Sequence, residues 1–167
     1  MKNRSETAKS GRRGSLTMRS IFRYMMEDGY YPVYEKSHIL FDIGDNTAVV
    51  EYNEGILSIR LFFSIEEDAY DLFLEASNSS MLETFIVKPA ILQDMKNIMF
   101  SFETICESKK DFRRFFSRGI EYLEESIRAH KSEMKKLVLA EEILTRTIPA
   151  TDDISMTGIN KSVKILS

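Results

Sequence analysis

Residues 39–63 read ILFDIGDNTAVVEYNEGILSIRLFF, and this stretch decides the fold. It divides into three short strands, Ile39–Ile43, Thr47–Tyr52 and Ile56–Phe63. The breaks are Gly44-Asp45-Asn46 and Asn53-Glu54-Gly55, residues that tolerate turn geometry. Alternate side chains of a strand point to opposite faces, so parity sorts the residues. Ile39, Phe41 and Ile43 share one face, with His38, Leu40 and Asp42 opposite. Ala48, Val50 and Tyr52 line up against Thr47, Val49 and Glu51. Leu57, Ile59, Leu61 and Phe63 oppose Ile56, Ser58, Arg60 and Phe62. A two-residue turn at Glu54-Gly55 sets Tyr52 against Leu57, Val50 against Ile59 and Ala48 against Leu61, which gives one clean apolar face. A three-residue turn spares Glu54 a positive φ but pairs Val50 with Ser58 and mixes the faces. The two-residue register is preferred.

Working outward, Leu16–Asp28 reads as a first helix capped by Ser15. Met18, Ile21, Phe22 and Met25 form its apolar stripe, and Gly29 supplies the stop. Tyr30-Tyr31-Pro32-Val33-Tyr34 is an extended lead-in, held to an edge or a connector by Pro32. Downstream, Ser64-Ile65-Glu66-Glu67 matches a capping box and opens a second helix, Ile65–Ala76. Its early carboxylates, Glu66, Glu67, Asp68 and Asp71, favour the positive end of the helix dipole. They lack the His or Cys company of a metal site. Thr84–Leu92 and Asn97–Cys106 read as two more strands, the first an edge strand because of Pro89.

Ser108 caps a third helix that runs from Lys109 to at least Leu137, with Leu144 as the far limit. Phe112, Phe115, Phe116, Ile120 and Leu123 give it a broad aromatic face. The stripe then narrows to Ile127, His130, Met134, Leu137 and Leu144, a heptad-like seam interrupted by Glu141. About thirty residues of helix span about 45 Å, more than a small domain is wide. The distal half is therefore expected to overhang the body and meet a partner chain or its own domain. His130 is expected at a boundary of the core.

The chain has 167 residues with net charge −3. That is one domain's worth of chain. Residues 1–14 carry +4 and the remainder −7. We divide it into a disordered basic arm at 1–14, a single α+β domain at 15–144 and a mobile polar tail at 145–167. An acidic body disfavours nucleic acid, except through the arm. Arg12-Arg13-Gly14-Ser15 resembles a basophilic kinase site, a short match of low specificity. No apolar run is long enough to span a bilayer, and none follows the N-terminal charges as a signal peptide would, so a cytoplasmic protein without membrane contact is expected. Cys106 is the single cysteine. It has no neighbouring His in sequence and no CxxC partner, and reads as an inert thiol. The residues suggest no cofactor, no metal and no catalytic group.

The order helix, three strands, helix, two strands, long helix resembles the type III secretion chaperone-like fold, and the YbjN family in particular. The passages that carry the resemblance are Met18–Tyr31 with its Asp28-Gly29-Tyr30 exit, the meander His38–Phe63, the helix after Ser64, and Asp111–Ile127 with its paired phenylalanines. It spans residues 16–135. The basic arm, the long third helix and the C-terminal tail depart from it. The resemblance implies a non-enzymatic α+β domain that dimerises and binds other polypeptides, as a chaperone or regulator.

Two functions follow as expectations. The first is a dimeric, protein-binding domain that is not an enzyme. Its partner surface is Leu40, Val49 and Phe62 on the second face of the meander, with Met134 and Leu137 on the helix seam. The alternative is a small-molecule or enzymatic cup between the sheet and the long helix, with Tyr34, His38, Glu51 and Arg60 as its polar groups.

Overall fold

The computed structural model describes residues 16–66, 68–84 and 86–147. The basic arm with its Arg12-Arg13-Gly14-Ser15 motif, Glu67, Phe85 and the tail beyond Thr147 lie outside the described residues. The element order is α1 (Met18–Glu27), β1 (Val33–Glu35), β2 (His38–Ile43), β3 (Asn46–Asn53), β4 (Ile56–Ser64), α2 (Tyr70–Ser80), β5 (Lys88–Ile91), β6 (Asn97–Ile105) and α3 (Lys109–Thr147). The six strands form one antiparallel sheet in the order β1-β2-β3-β4-β6-β5. The fold is α+β, with helices and strands in the expected sequence. The lead-in contributes a short edge strand, β1, and β5 with Pro89 forms the other edge.

The meander takes the two-residue register: Ala48 pairs with Leu61, Val50 with Ile59 and Tyr52 with Leu57. Glu54 adopts φ 49° and Gly55 φ 86°, the doubly positive pattern of a type I′ turn. A left-handed non-glycine residue costs about 1–2 kcal/mol. Burying even one additional large apolar side chain gains about 1.5–3 kcal/mol. The register aligns several, so the turn yields to the sheet.

Ile39, Phe41, Ala48, Val50, Leu57, Ile59, Leu61, Ile98, Phe100 and Phe102 make the buried face. α1 lays Ile21 and Met25 on it. α3 adds Phe112, Phe116 and Leu123. Rings of Phe41, Phe112 and Phe116 meet at centroid distances of 5.3 and 4.9 Å. Among the described residues no helix packs on the second face of the sheet.

Local signals explain the helix ends, with two corrections. α1 is capped by Thr17, not by Ser15. Thr17 Oγ1 accepts from the Ser20 N–H at 3.2 Å, and Ser20 Oγ accepts from the Thr17 N–H at 2.9 Å. Leu16 and Ile21, both buried, occupy the positions of a hydrophobic staple around that cap. α1 ends in a Schellman motif: Gly29 (φ 88°) donates to Met26 and Tyr30 to Met25. The second correction concerns Ser64, which ends β4 instead of opening α2. It pairs with Asn97, and the Ile65 N–H donates to the Lys96 carbonyl at 2.7 Å. The ladder takes the backbone that the capping box needed. α2 therefore starts at Tyr70 behind Ala69, without a side-chain cap, and continues to Ser80.

β5 is shorter than expected, because Thr84 closes the turn after α2. Its hydroxyl meets the carbonyls of Ser80 at 3.1 Å and Val87 at 3.4 Å. α3 exceeds the expected limit. It opens at Ser108, whose Oγ accepts from the Asp111 N–H at 3.2 Å and donates to Asp111 Oδ2 at 2.7 Å. Its 39 residues span about 58 Å. Lys109 and Arg113 tie its start to Glu27 and Asp28 at the end of α1, each at 2.7 Å. Towards its far end Leu139, Ile143 and Leu144 are exposed. His130 is not at a boundary; it is 1 % exposed and sits inside the core. Among the described residues no helix is long and apolar enough to cross a membrane.

Candidate protein-binding surface

The uncovered face of the sheet is where this molecule presents ordered, shaped chemistry. Along the central β4–β6 ladder its pairs are Ile56 with Ile105, Ser58 with Glu103, Arg60 with Ser101 and Phe62 with Met99. Apolar pairs therefore flank a charged middle over six residue steps of β4, about 20 Å. Ile105 is 70 % exposed and Phe62 42 %. Laterally, the Arg60 row continues through Val49 and Leu40 to Val33, and on the other side through Ser101 to Lys88.

Arg60 organises the middle. Its Nη1 donates to Glu51 Oε2 at 2.5 Å and its Nη2 to Glu103 Oε1 at 3.0 Å. The same Glu103 oxygen accepts from the hydroxyls of Ser58 and Ser101, each at 3.4 Å. The Arg60 guanidinium, aided by those hydroxyls, holds the Glu103 carboxyl below its usual range against the opposing effect of burial. At the rim, Thr47 Oγ1 donates to Asp42 Oδ1 at 2.9 Å. A sheet face with two apolar ends and an ion-paired centre suits another polypeptide surface more than a small molecule.

The five expected contact residues do not form one surface. Leu40, Val49 and Phe62 lie on the bare face, where Leu40 and Val49 pair directly. Met134 and Leu137 lie on α3, across the sheet. Met134 is fully buried and belongs to the core, and Leu137 packs against that core. Met134 is thereby withdrawn from the partner surface, while Leu137 stays half-buried. The heptad-like spacing was a true sign of burial, but the covering element is α2 of the same chain for this part of the helix.

The cup between sheet and long helix is filled. Phe102, Leu123, Phe112 and Phe116 are buried there, and Gly119 lets α3 close onto Phe102 and Ile59. Its expected polar groups are split. His38, Glu51 and Arg60 face away from α3, and Tyr34 packs edge-on against Phe22 at 5.8 Å. His38 lies 3.6 Å from Glu35. Cys106 is buried, and burial pushes its thiol up to about 11. Among the described residues no group of three or more His, Cys, Asp or Glu side chains is placed to hold a metal.

Ile56, Met99 and Ile105 were missed as surface residues. Parity places Ile56 with Phe62 and Met99 with Glu103. The sequence lacked any indication of which face the helices would leave open.

Comparison with solved structures decides the architecture. Crystallised YbjN from E. coli, a candidate transcription regulator, superposes with a TM-score of 0.57 at 11 % identity, over 72 % of this chain and 94 % of that one. The fold is YbjN-like. An uncharacterised protein from Methanothermobacter thermautotrophicus aligns with a TM-score of 0.52 at 12 % identity, over 72 % of this chain and 98 % of its own. No protein-family model matches, and no curated protein matches by sequence. At these identities the YbjN-like likeness concerns the fold alone.

Proposed function

We propose that the chain is a non-enzymatic, protein-binding domain of regulatory or chaperone-like type, acting as a homodimer that takes a polypeptide partner on its bare sheet face. One observation carries the reading: all three helices cover one face, while the other presents Ile56–Ile105 and Phe62–Met99 on either side of the Arg60 cluster. An antiparallel sheet with one solvated face is common, but its exposed positions are usually polar. Here apolar pairs sit on the central strands, with Ile56, Phe62 and Ile105 exposed and Met99 half-buried. The candidate regulator role of YbjN agrees with a binding module of this shape.

The test replaces Phe62 and Ile105 by Asp, singly and together. Both side chains are already exposed, so the melting temperature should stay within about 2 °C, in line with surface substitutions. Light scattering reads the dimer and co-purification reads the partner. Loss of either association in the double variant supports the reading. A wild-type monomer that retains no protein, or a double variant that binds as before, refutes it.

A further inference from the structure

Ser77 and Ser80 of α2 and Ser126 and His130 of α3 are all buried. His130 Nε2 lies 3.1 Å from Ser77 Oγ, and that hydroxyl donates its own proton to the Phe73 carbonyl at 2.7 Å. With that proton so directed, Ser77 Oγ accepts from His130 Nε2–H, a bond that the neutral and the charged ring can both make. The ring is enclosed by Phe73 at 5.6 Å and by Phe100, edge-on, at 5.4 Å. From α2 it meets Phe73 and Ser77, and from β6 Phe100. On its own helix the buried residues a turn to either side are Ser126 and Met134. None of these titrates, and the carboxylate a turn along α3, Glu133, is paired with Lys136. Burial accordingly depresses the His130 titration, with the Phe73 carbonyl opposing.

α2 is the element most dependent on this contact. It begins without a side-chain cap. Its last turn, Ser77-Asn78-Ser79-Ser80, is made of poor helix formers. An eleven-residue helix is too short to persist alone. It is held by Phe73, Ala76, Ser77 and Ser80, which it buries.

We propose that His130 is an acid-sensitive latch: protonation favours a form in which α2 lifts from α3, exposing Phe73, Ala76 and the ring of Phe100. This goes beyond the binding reading and does not rest on it. A group whose titration is depressed when closed binds more protons when open, so closure is complete above the open-state value and weakens as pH falls below it. With an open histidine near about 6.5, the open-to-closed ratio rises by up to about tenfold at pH 5.5 and about thirtyfold at pH 5.0.

Hydrogen exchange of the full chain between pH 7.5 and 5.0, corrected for intrinsic rates, tests this. In the wild type, amides of Tyr70–Ser80 should lose up to about thirtyfold more protection than those of β3. In His130→Gln, which keeps a donor for Ser77 but cannot titrate, the excess loss should vanish. Parallel loss in α2 and β3, or an unchanged loss in the variant, overturns the proposal. If the variant fails to fold, proton NMR of the wild type decides. The His130 ring should titrate in step with α2 exchange, and a ring that protonates while α2 stays protected also overturns it.

Discussion

Gly119 stands so close to Phe102 that a Cβ there would lie 2.6 Å from the ring's Cδ1 and 3.0 Å from Ile59 Cδ1. This closeness lets α3, with its aromatic face, close onto β4 and β6 at this point. Two effects of Gly119→Ala then oppose each other. Alanine is favoured over glycine in a helix interior by about 1 kcal/mol. Overpacking a rigid, buried ring costs about 1–3 kcal/mol. The ring cannot swing away, because Phe102 is buried, so overpacking should win. We expect Gly119→Ala to destabilise by about 1–2 kcal/mol in urea titration. Phe102→Leu in the same chain should make room, and the double variant should then lose less than the two single losses together. A stabilised Gly119→Ala would mean that α3 does not pack this tightly.

The two capping corrections give a paired prediction. Thr17→Ala removes the acceptor for the Ser20 N–H and should cost about 1 kcal/mol. For a chain of this size that is about 3 °C in melting temperature. Ser64→Ala should change stability by less than about 0.5 kcal/mol, since the exposed Ser64 ends β4 and does not cap α2. Had the capping box opened α2, the Ser64 variant would be the costlier of the two. Thermal melts of both proteins, followed by circular dichroism, rank them directly.

Those same hydroxyls show what sequence can carry. The meander was legible because parity over three adjacent strands leaves few registers, and burial outweighs the discomfort of Glu54. Ser64 was misleading because a hydroxyl before an acidic residue serves a cap only when its backbone is free, and the ladder with Asn97 had claimed it. The expected cap of α1 is Ser15, but Thr17 takes that place, with Leu16 and Ile21 as the staple around it. His130 lay on an apolar stripe. Its depth depended on Ser77, 53 residues away, supplying an acceptor. Met134 was recognised as apolar and helical, but a stripe does not say whether its cover comes from the same chain. The bare face was present in the parity of Ile56, Arg60 and Phe62. That the three helices would all choose the opposite side was a property of the packed whole.

The Arg60 cluster couples the Glu103 titration to the guanidinium. The Glu103 carboxyl is held low chiefly by its hydrogen bond with Arg60. A carboxyl depressed in the folded state contributes stability above its unfolded value, about 4.3, and loses it as pH falls through the folded value. Arg60→Met keeps an apolar stem over Val49 and Ser101 but removes the guanidinium. Carboxyl NMR should then show Glu103 titrating at higher pH than in the wild type. The effect on stability should be small for two reasons. The pairs with Glu51 and Glu103 are partly exposed, and such pairs contribute up to about 1 kcal/mol. Arg60 Nε is buried without a partner, so methionine also removes an unpaired donor, which offsets part of the loss. What remains of the difference between the two proteins at pH 7 should shrink as pH falls through the lowered Glu103 titration of the wild type, below which the carboxyl is neutral in both. An unmoved Glu103 titration in the variant would show that Arg60 does not hold this carboxyl, and that the centre of the face is set by its hydroxyls instead.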